Sequence, residues 1–130
     1  MSSIFSRIVA GEIPAHKVAE TDKYLAFLDV NPVKRGHTLC IPKSEVDYVF
    51  DLDDDVYIGL MLFAKQVALG VRSAFPCVRV GVAVVGLEVP HAHVHLIPLD
   101  SVDDMRFDKP RTPPSAAELA RDAEAIRAKL

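Results

Sequence analysis

Cysteine is scarce in this chain of 130 residues, which has only Cys40 and Cys77 and no pair spaced C-x-x-C. Two cysteines so far apart in sequence cannot form the disulfide framework of a small secreted protein. We expect both to be free and buried, with a single disulfide as the alternative. No basic segment followed by a long apolar stretch opens the sequence, so a secretory signal is not evident. These features are typical of a cytoplasmic protein.

Long hydrophobic runs and a strong charge of one sign are missing as well. No apolar run reaches the length that a membrane span needs. The formal net charge of −3 argues against a general nucleic-acid or membrane-surface binder, because such proteins present clustered lysine and arginine. We therefore expect neither nucleic acid nor membrane among the partners of this protein, whereas a small local anion site is compatible with its charge.

The length of the chain predicts one domain, with a core over residues 1–99 and an arm and helix over residues 100–130 packed on it. Apolar periodicity predicts a short helix that Ser2 or Ser3 can cap and Gly11 can end, and a long helix over residues 54–75. The capping-box pattern of Ser115 and Glu118 predicts a terminal helix. Segments bounded by turn signals predict strands over residues 16–20, 24–30, 36–42 and 77–85, and around Leu96. Because strands and helices do not alternate regularly, we expect an α+β fold with about five antiparallel strands.

Three histidines stand at alternate positions in the run His91-Ala92-His93-Val94-His95. On a β-strand the three rings would share one face, and the apolar residues between them would share the other. Imidazoles are costly to bury unless each ring nitrogen has a hydrogen-bond partner. The row therefore predicts a site where the rings serve chemistry.

Three interpretations of this row compete. Some rings could be structural, with their nitrogens bonded to backbone groups. A metal site is the second interpretation, although the Cα atoms of His91 and His95 would lie roughly 13 Å apart on a strand, which strains a single ion. In the third, one neutral imidazole attacks phosphorus while its neighbours orient it, hold phosphate oxygens and protonate the leaving group. His93 would then be the nucleophile, since it alone has an imidazole on both sides.

The segment over residues 91–97 resembles the histidine-triad (HIT) signature, in which three histidines alternate with apolar residues. Residues 4–14, 24–32 and 36–43 resemble further segments of that family and occur in its order. The chain is most similar in style to small nucleoside phosphoramidases and nucleotidyl hydrolases. The resemblance implies a HIT-like α+β fold and a homodimer that binds a purine nucleotide. It also implies cleavage of phosphoramidate or phosphoanhydride bonds at the α-phosphorus through a nucleotidyl-histidine intermediate, without metal or other cofactor.

The resemblance implies roles for individual residues. His93 matches the nucleophile, and His95 matches the ring on the phosphate and leaving-group side. His91 matches the supporting first ring of the triad, and His37 matches a fourth histidine behind it. Asp29 matches the carboxylate that takes the ribose hydroxyls, with a role in opening the following turn as the alternative. The residues that match an apolar base pocket, with plain core as the alternative, are Phe5, Ile8, Ile13, Phe27 and Val30.

Four positions depart from the family pattern. Leu87 replaces a glutamine that usually precedes the triad, and the carboxylate of Glu88 would repel a phosphate unless it points away and only its backbone N–H serves the phosphate. Ser3 and Ser6 stand where some relatives have the C-x-x-C of a structural zinc, so we expect no such zinc. Two alternatives stay open: a nucleotide- or partner-binding protein with weak or no turnover, and a metal-dependent hydrolase. The arm over residues 100–114 is expected to approach the site and affect leaving-group choice.

Overall fold

Five antiparallel strands form one sheet, in the order β1-β2-β3-β5-β4, in a computed structural model that describes residues 2–130. The strands are β1 (Lys17–Glu20), β2 (Tyr24–Leu28), β3 (Thr38–Pro42), β4 (Arg79–Ala83) and β5 (Val94–Leu99). The helices are α1 (Ile4–Val9), α2 (Asp54–Ala74) and α3 (Ala116–Arg127), with 3-10 turns at Val49–Asp51 and Val102–Met105. The predicted α+β fold, with one long helix and a terminal helix, is confirmed.

The two faces of the sheet carry separate apolar clusters. In β2, Leu25 and Phe27 point to a cluster that includes Phe5 and Ile8 of α1. Ala26 and Leu28 point to the opposite, larger cluster under α2 and α3. This alternation follows from the period of two along a strand, and it gives the sheet one face covered by α1 and one covered by the two longer helices.

Helix α2 begins with Asp54 and Asp55, whose charges complement the positive end of the helix dipole. It buries one face against the sheet, including Leu60, Val67 and Val71. By length and composition alone, α2 would be long and apolar enough to cross a membrane, which the sequence analysis did not anticipate. In this structure α2 packs one of its faces on the sheet.

The histidine row differs from its prediction, because only His95 lies within a strand. Strand β5 starts at Val94, and the segment before it leaves the sheet ladder. The N–H of His91 donates to the carbonyl of Val89 at 2.8 Å, and the N–H of Ala92 donates to the carbonyl of Val46 at 2.7 Å. The alternation of faces nevertheless holds outside the ladder, because the His91 and His93 rings both meet Phe5 of α1 and Ala92 joins the cluster on the opposite face.

The C-terminal segment packs on the rest of the chain through α3. Ser115 caps this helix, and Leu119, Ala123 and Ile126 join the larger apolar cluster. The arm before α3 is held by Lys34, whose ammonium lies 2.8 Å from a carboxylate oxygen of Asp100. The division of the domain at residue 99 stays a prediction. Both cysteines are free, Cys40 being buried and Cys77 half-buried.

Candidate active site

The four histidines predicted to act together meet on the α1 face of the sheet. His95 lies opposite Leu39 in the β3–β5 pairing, and Leu39 belongs to the cluster on that face. His37 directly precedes β3, and its ring lies 5.1 Å from the His95 ring between centroids. The centroids of His93 and His95 are 5.0 Å apart. Residues that are far apart in sequence thus form one group of imidazoles.

A hydrogen-bond chain sets the proton positions on His37 and His95. The N–H of Val33 donates to His37 Nδ1 at 3.1 Å, so this nitrogen is an acceptor. In the neutral ring the proton is then on Nε2, which lies 2.9 Å from His95 Nδ1 and donates to it. His95 therefore carries its own proton on Nε2, and that N–H is left for another acceptor.

His93 has the opposite arrangement. Its Nδ1 lies 2.6 Å from the carbonyl oxygen of His91, which can only accept, so Nδ1 carries the proton. The lone pair of the neutral ring is then on Nε2. His93 Nε2 makes no hydrogen bond within residues 2–130. Every fully buried side-chain nitrogen or oxygen of these residues has a hydrogen-bond partner, so Nε2 must be exposed to solvent. The site presents an accessible lone pair on His93 beside an N–H on His95.

His91 is fully buried and links the site to α1. Its Nε2–H donates to the carbonyl of Pro42 at 2.8 Å, and its Nδ1 accepts from the hydroxyl of Ser3 at 2.8 Å. The carboxylate of Glu45 accepts from the N–H of Ser3 and from the hydroxyl of Ser6, at 2.6 Å and 2.7 Å. This network holds the residue whose carbonyl orients His93.

Burial keeps these rings neutral. It lowers the pKa of His37 to about 3, with a further contribution from His95, and it lowers the pKa of His95 to about 4, with a further contribution from His93. The pKa of His91 is lowered by the same cause. Near pH 7 these three imidazoles are uncharged, so each has one donor and one acceptor nitrogen, as the hydrogen-bond chain requires.

A cavity of about 160 Å³ opens beside His93 and His95, and two predicted nucleotide-binding residues line it. Asp29 follows β2, and its Oδ1 accepts from the N–H of Asn31 at 2.8 Å. The bond to Asn31 fits the predicted alternative role in opening the turn. The other carboxylate oxygen, Oδ2, lies 3.7 Å from His37 Nε2 but makes no hydrogen bond within residues 2–130, so it can still accept one from a ligand. Burial raises the pKa of Asp29. Glu88 is exposed at the rim.

The five residues predicted for a base pocket do not share one environment. Phe5, Ile8 and Phe27 are buried in the smaller apolar cluster, and Ile13 packs against its edge. The Phe5 ring meets the His93 ring edge-on, with centroids 5.1 Å apart. Val30 is exposed, at 60% of its full surface. The three buried side chains serve as core, and a base pocket made by these residues stays a prediction.

Neither of two side-chain groups near the site offers a free set of metal ligands. Asp29, His37 and His95 bring three ligand atoms within 4.8 Å of one another. However, His37 Nε2 and His95 Nδ1 already bond each other, so a metal would have to break the chain that sets their protons. In the second group, Ser3 and Ser6 offer hydroxyls, whereas zinc sites use thiolates, imidazoles and carboxylates.

Comparison with known proteins identifies the family. A family model described as the HIT domain matches residues 10–102. The chain belongs to the HIT family.

Similar HIT proteins come from several organisms. The adenosine 5'-monophosphoramidase hnt1 of Schizosaccharomyces pombe is 33% identical over 133 aligned positions, which cover 100% of this chain and 99% of that protein. A crystal structure of a Hit-like protein involved in cell-cycle regulation from Bartonella henselae matches with a TM-score of 0.87 and 29% identity, covering 99% and 96% of the two chains. A zinc-bound histidine triad protein from Mycobacterium smegmatis matches with a TM-score of 0.85 and 27% identity, covering 99% and 93%.

Sequence reasoning did not assign roles in the site to Glu45, Phe107 or Arg111. Glu45 contacts Ser3 across 42 residues of sequence, and no local pattern signals such a pairing. Phe107 and Arg111 line the cavity from the arm, which was expected only as a segment to approach the site. Phe107 is the only aromatic residue in the polar stretch over residues 100–114, and that was the available signal.

Replacing Ser3 with alanine should destabilise this HIT protein by about 1–3 kcal/mol, because buried His91 Nδ1 is left with only the more distant Ser6 hydroxyl at 3.4 Å and α1 loses its N-cap. Urea unfolding measures the change. Ser2→Ala, at an exposed neighbouring position, is the matched control and should stay within about 0.5 kcal/mol of wild type. Equal stability of the two variants would show that the Ser3–His91 bond contributes nothing.

Proposed function

We propose that this HIT protein hydrolyses nucleoside 5'-phosphoramidates, with adenosine 5'-phosphoramidate as the first substrate to test. The observation that carries the proposal is the accessible lone pair of His93 Nε2 next to the N–H of His95. The relative from Schizosaccharomyces pombe, named an adenosine 5'-monophosphoramidase, supports the choice of substrate. A purine nucleotide is thus the proposed small-molecule partner.

In the proposed first step, His93 Nε2 attacks the α-phosphorus. A bond from phosphorus to His93 forms as the bond to the leaving amine breaks, and the departing nitrogen takes up a proton from solvent. Water then attacks the nucleotidyl-histidine, breaks the bond to His93 and returns a proton to solvent, so the site ends unchanged. Splitting the displacement into two steps is the advantage of a covalent intermediate.

The neighbouring residues assist this reaction without changing their charge. His95 donates its Nε2–H to the phosphate and leaving-group side, and His37 keeps His95 in the tautomer that allows this donation. The carbonyl of His91 holds the proton of His93 on the nitrogen away from phosphorus. Asp29 takes the ribose hydroxyls with its remaining acceptor, and the backbone N–H of Glu88 serves the phosphate. No step uses a metal ion.

A second candidate is a nucleotide-binding protein with weak or no turnover. The observation that favours it is the rim of the cavity, where Leu87 is 87% exposed and Glu88 places a carboxylate near the expected phosphate. In this case the protein would bind the same nucleotide but cleave it slowly or not at all. A metal-dependent hydrolase has less support, because the His37–His95 bond occupies the ring nitrogens that a metal would need.

Turnover of adenosine 5'-phosphoramidate in the presence of a chelator tests the proposal. His93→Ala should reduce turnover by about 1,000-fold or more, since it removes the nucleophile. His16→Ala, a histidine outside the site, is the matched control and should retain wild-type activity. Activity that survives in His93→Ala or needs a divalent ion would refute the mechanism. Nucleotide binding without turnover in wild type would favour the second candidate.

We also propose that two copies of the chain form a homodimer through β4 and α2. Strand β4 lies at an edge of the sheet, and Val82 on it is 52% exposed. The neighbouring face of α2 exposes Leu62 and Leu69 at 57% and 65%. An unpaired edge beside exposed apolar side chains is a place where a two-fold copy can pair.

A cytoplasmic location, proposed from the scarcity of cysteine, agrees with two free thiols.

Sedimentation equilibrium should give twice the mass of one 14.3 kDa chain. Val82→Lys should shift the protein toward monomer, because it places a charge in the middle of the proposed interface. Val102→Lys is the matched control, since Val102 is 89% exposed and lies outside that interface, and it should remain dimeric. A monomeric wild type would contradict the proposal, as would a Val82→Lys variant that stays dimeric.

A further inference from the structure

Two residues that line the cavity beside the triad come from the C-terminal arm. Phe107 and Arg111 lie beyond the end of the family match at residue 102, yet they share the 160 Å³ cavity with His93 and His95. The Phe107 ring lies 4.9 Å from the His95 ring between centroids and meets it edge-on. The arm therefore adds a wall to the site that the family's shared core does not supply.

Arg111 is held in place by bonds to neutral groups. Its Nη1 donates to the carbonyl of Asn31 at 2.9 Å, and its Nη2 donates to the carbonyl of Phe107 at 2.5 Å. A guanidinium has five N–H donors, so three remain for a ligand. Within residues 2–130 no carboxylate lies within ion-pair distance of Arg111. By contrast, Arg106 in the same arm pairs with Asp103 and Asp108.

A phosphate bound in this cavity would need a nearby cation to balance its negative charge. Asp29 and Glu88 contribute two carboxylates to its wall, and His95 is neutral near pH 7. Leu87, at the position before Glu88, offers no polar side chain. Arg111 is the one lysine or arginine among the residues that line this cavity, so it alone can balance an incoming negative charge.

We propose that Arg111 binds the 5'-phosphate of the nucleotide, with Phe107 and the Asn31 carbonyl holding its guanidinium at the cavity. The proposal rests on the proposed function for the identity of the ligand and assigns a phosphate-binding residue that lies outside the family core. It explains how a site with two carboxylates and an apolar Leu87 accepts an anion. Arg111 also distinguishes this site from one that would recognise the nucleoside alone.

Calorimetric titration of adenosine and of adenosine 5'-monophosphate isolates the phosphate contribution without requiring turnover. Arg111→Gln removes the charge and keeps an amide that can donate to the neighbouring carbonyls. It should weaken binding of the monophosphate about 10- to 100-fold and leave adenosine binding close to wild type. Arg111→Lys should fall between the two, because it keeps the charge and loses the planar fork. The matched control is Arg121→Gln, an exposed arginine on α3, which should bind both ligands as wild type does.

The outcomes separate this inference from the proposed function. If wild type binds the monophosphate and Arg111→Gln binds it equally well, the inference is overturned and the proposed function stands. An equal loss for adenosine and the monophosphate also overturns it, because the arm would then act only as scaffold. If wild type binds neither ligand, the proposed function fails, and this inference fails with it. Circular dichroism melting of each variant verifies that binding is compared between folded proteins.

Discussion

The hydrogen bond from the N–H of Val33 to His37 Nδ1 determines the proton positions in the hydrogen-bond chain from Val33 through His37 to His95. A backbone N–H can only donate, so His37 must place its proton on Nε2 and donate to His95 Nδ1. His95 is then left with an N–H on the side of the cavity. With the opposite His37 tautomer, His95 would present a lone pair there, and the site would have two acceptors where the chemistry needs one acceptor and one donor.

Burial and tautomer control depend on each other. The rings lie on the α1 face of the sheet, against the cluster that contains Phe5 and Leu39, and this burial lowers the pKa of His37 to about 3 and of His95 to about 4. A charged His37 would carry a proton on both nitrogens and would oppose the Val33 N–H. The apolar face therefore keeps the hydrogen-bond chain through His37 and His95 in the one protonation state that fits its partners.

Much of this arrangement could be predicted from the sequence, because it depends on local patterns. The alternating histidines marked the site, and the capping box at Ser115 marked α3. The predicted sharing of one face by the three rings holds, although β5 itself starts only at Val94 and the N–H of Ala92 bonds to Val46 outside the sheet ladder. The roles of Glu45 and Arg111 could not be predicted. Glu45 contacts Ser3 across 42 residues of sequence and Arg111 contacts Asn31 across 80, and no local sequence pattern indicates such long-range contacts.

The central claim is that His93 and His95 hold opposite tautomers. Nitrogen-15 NMR of the histidine rings at pH 7 tests it most directly, because protonated and unprotonated ring nitrogens differ in chemical shift. The account predicts that His93 is protonated on Nδ1, with a lone pair on Nε2, and that His95 is protonated on Nε2. A proton on His93 Nε2, or on His95 Nδ1, would contradict it, since the site would then lack the nucleophile or the donor that the proposed reaction uses.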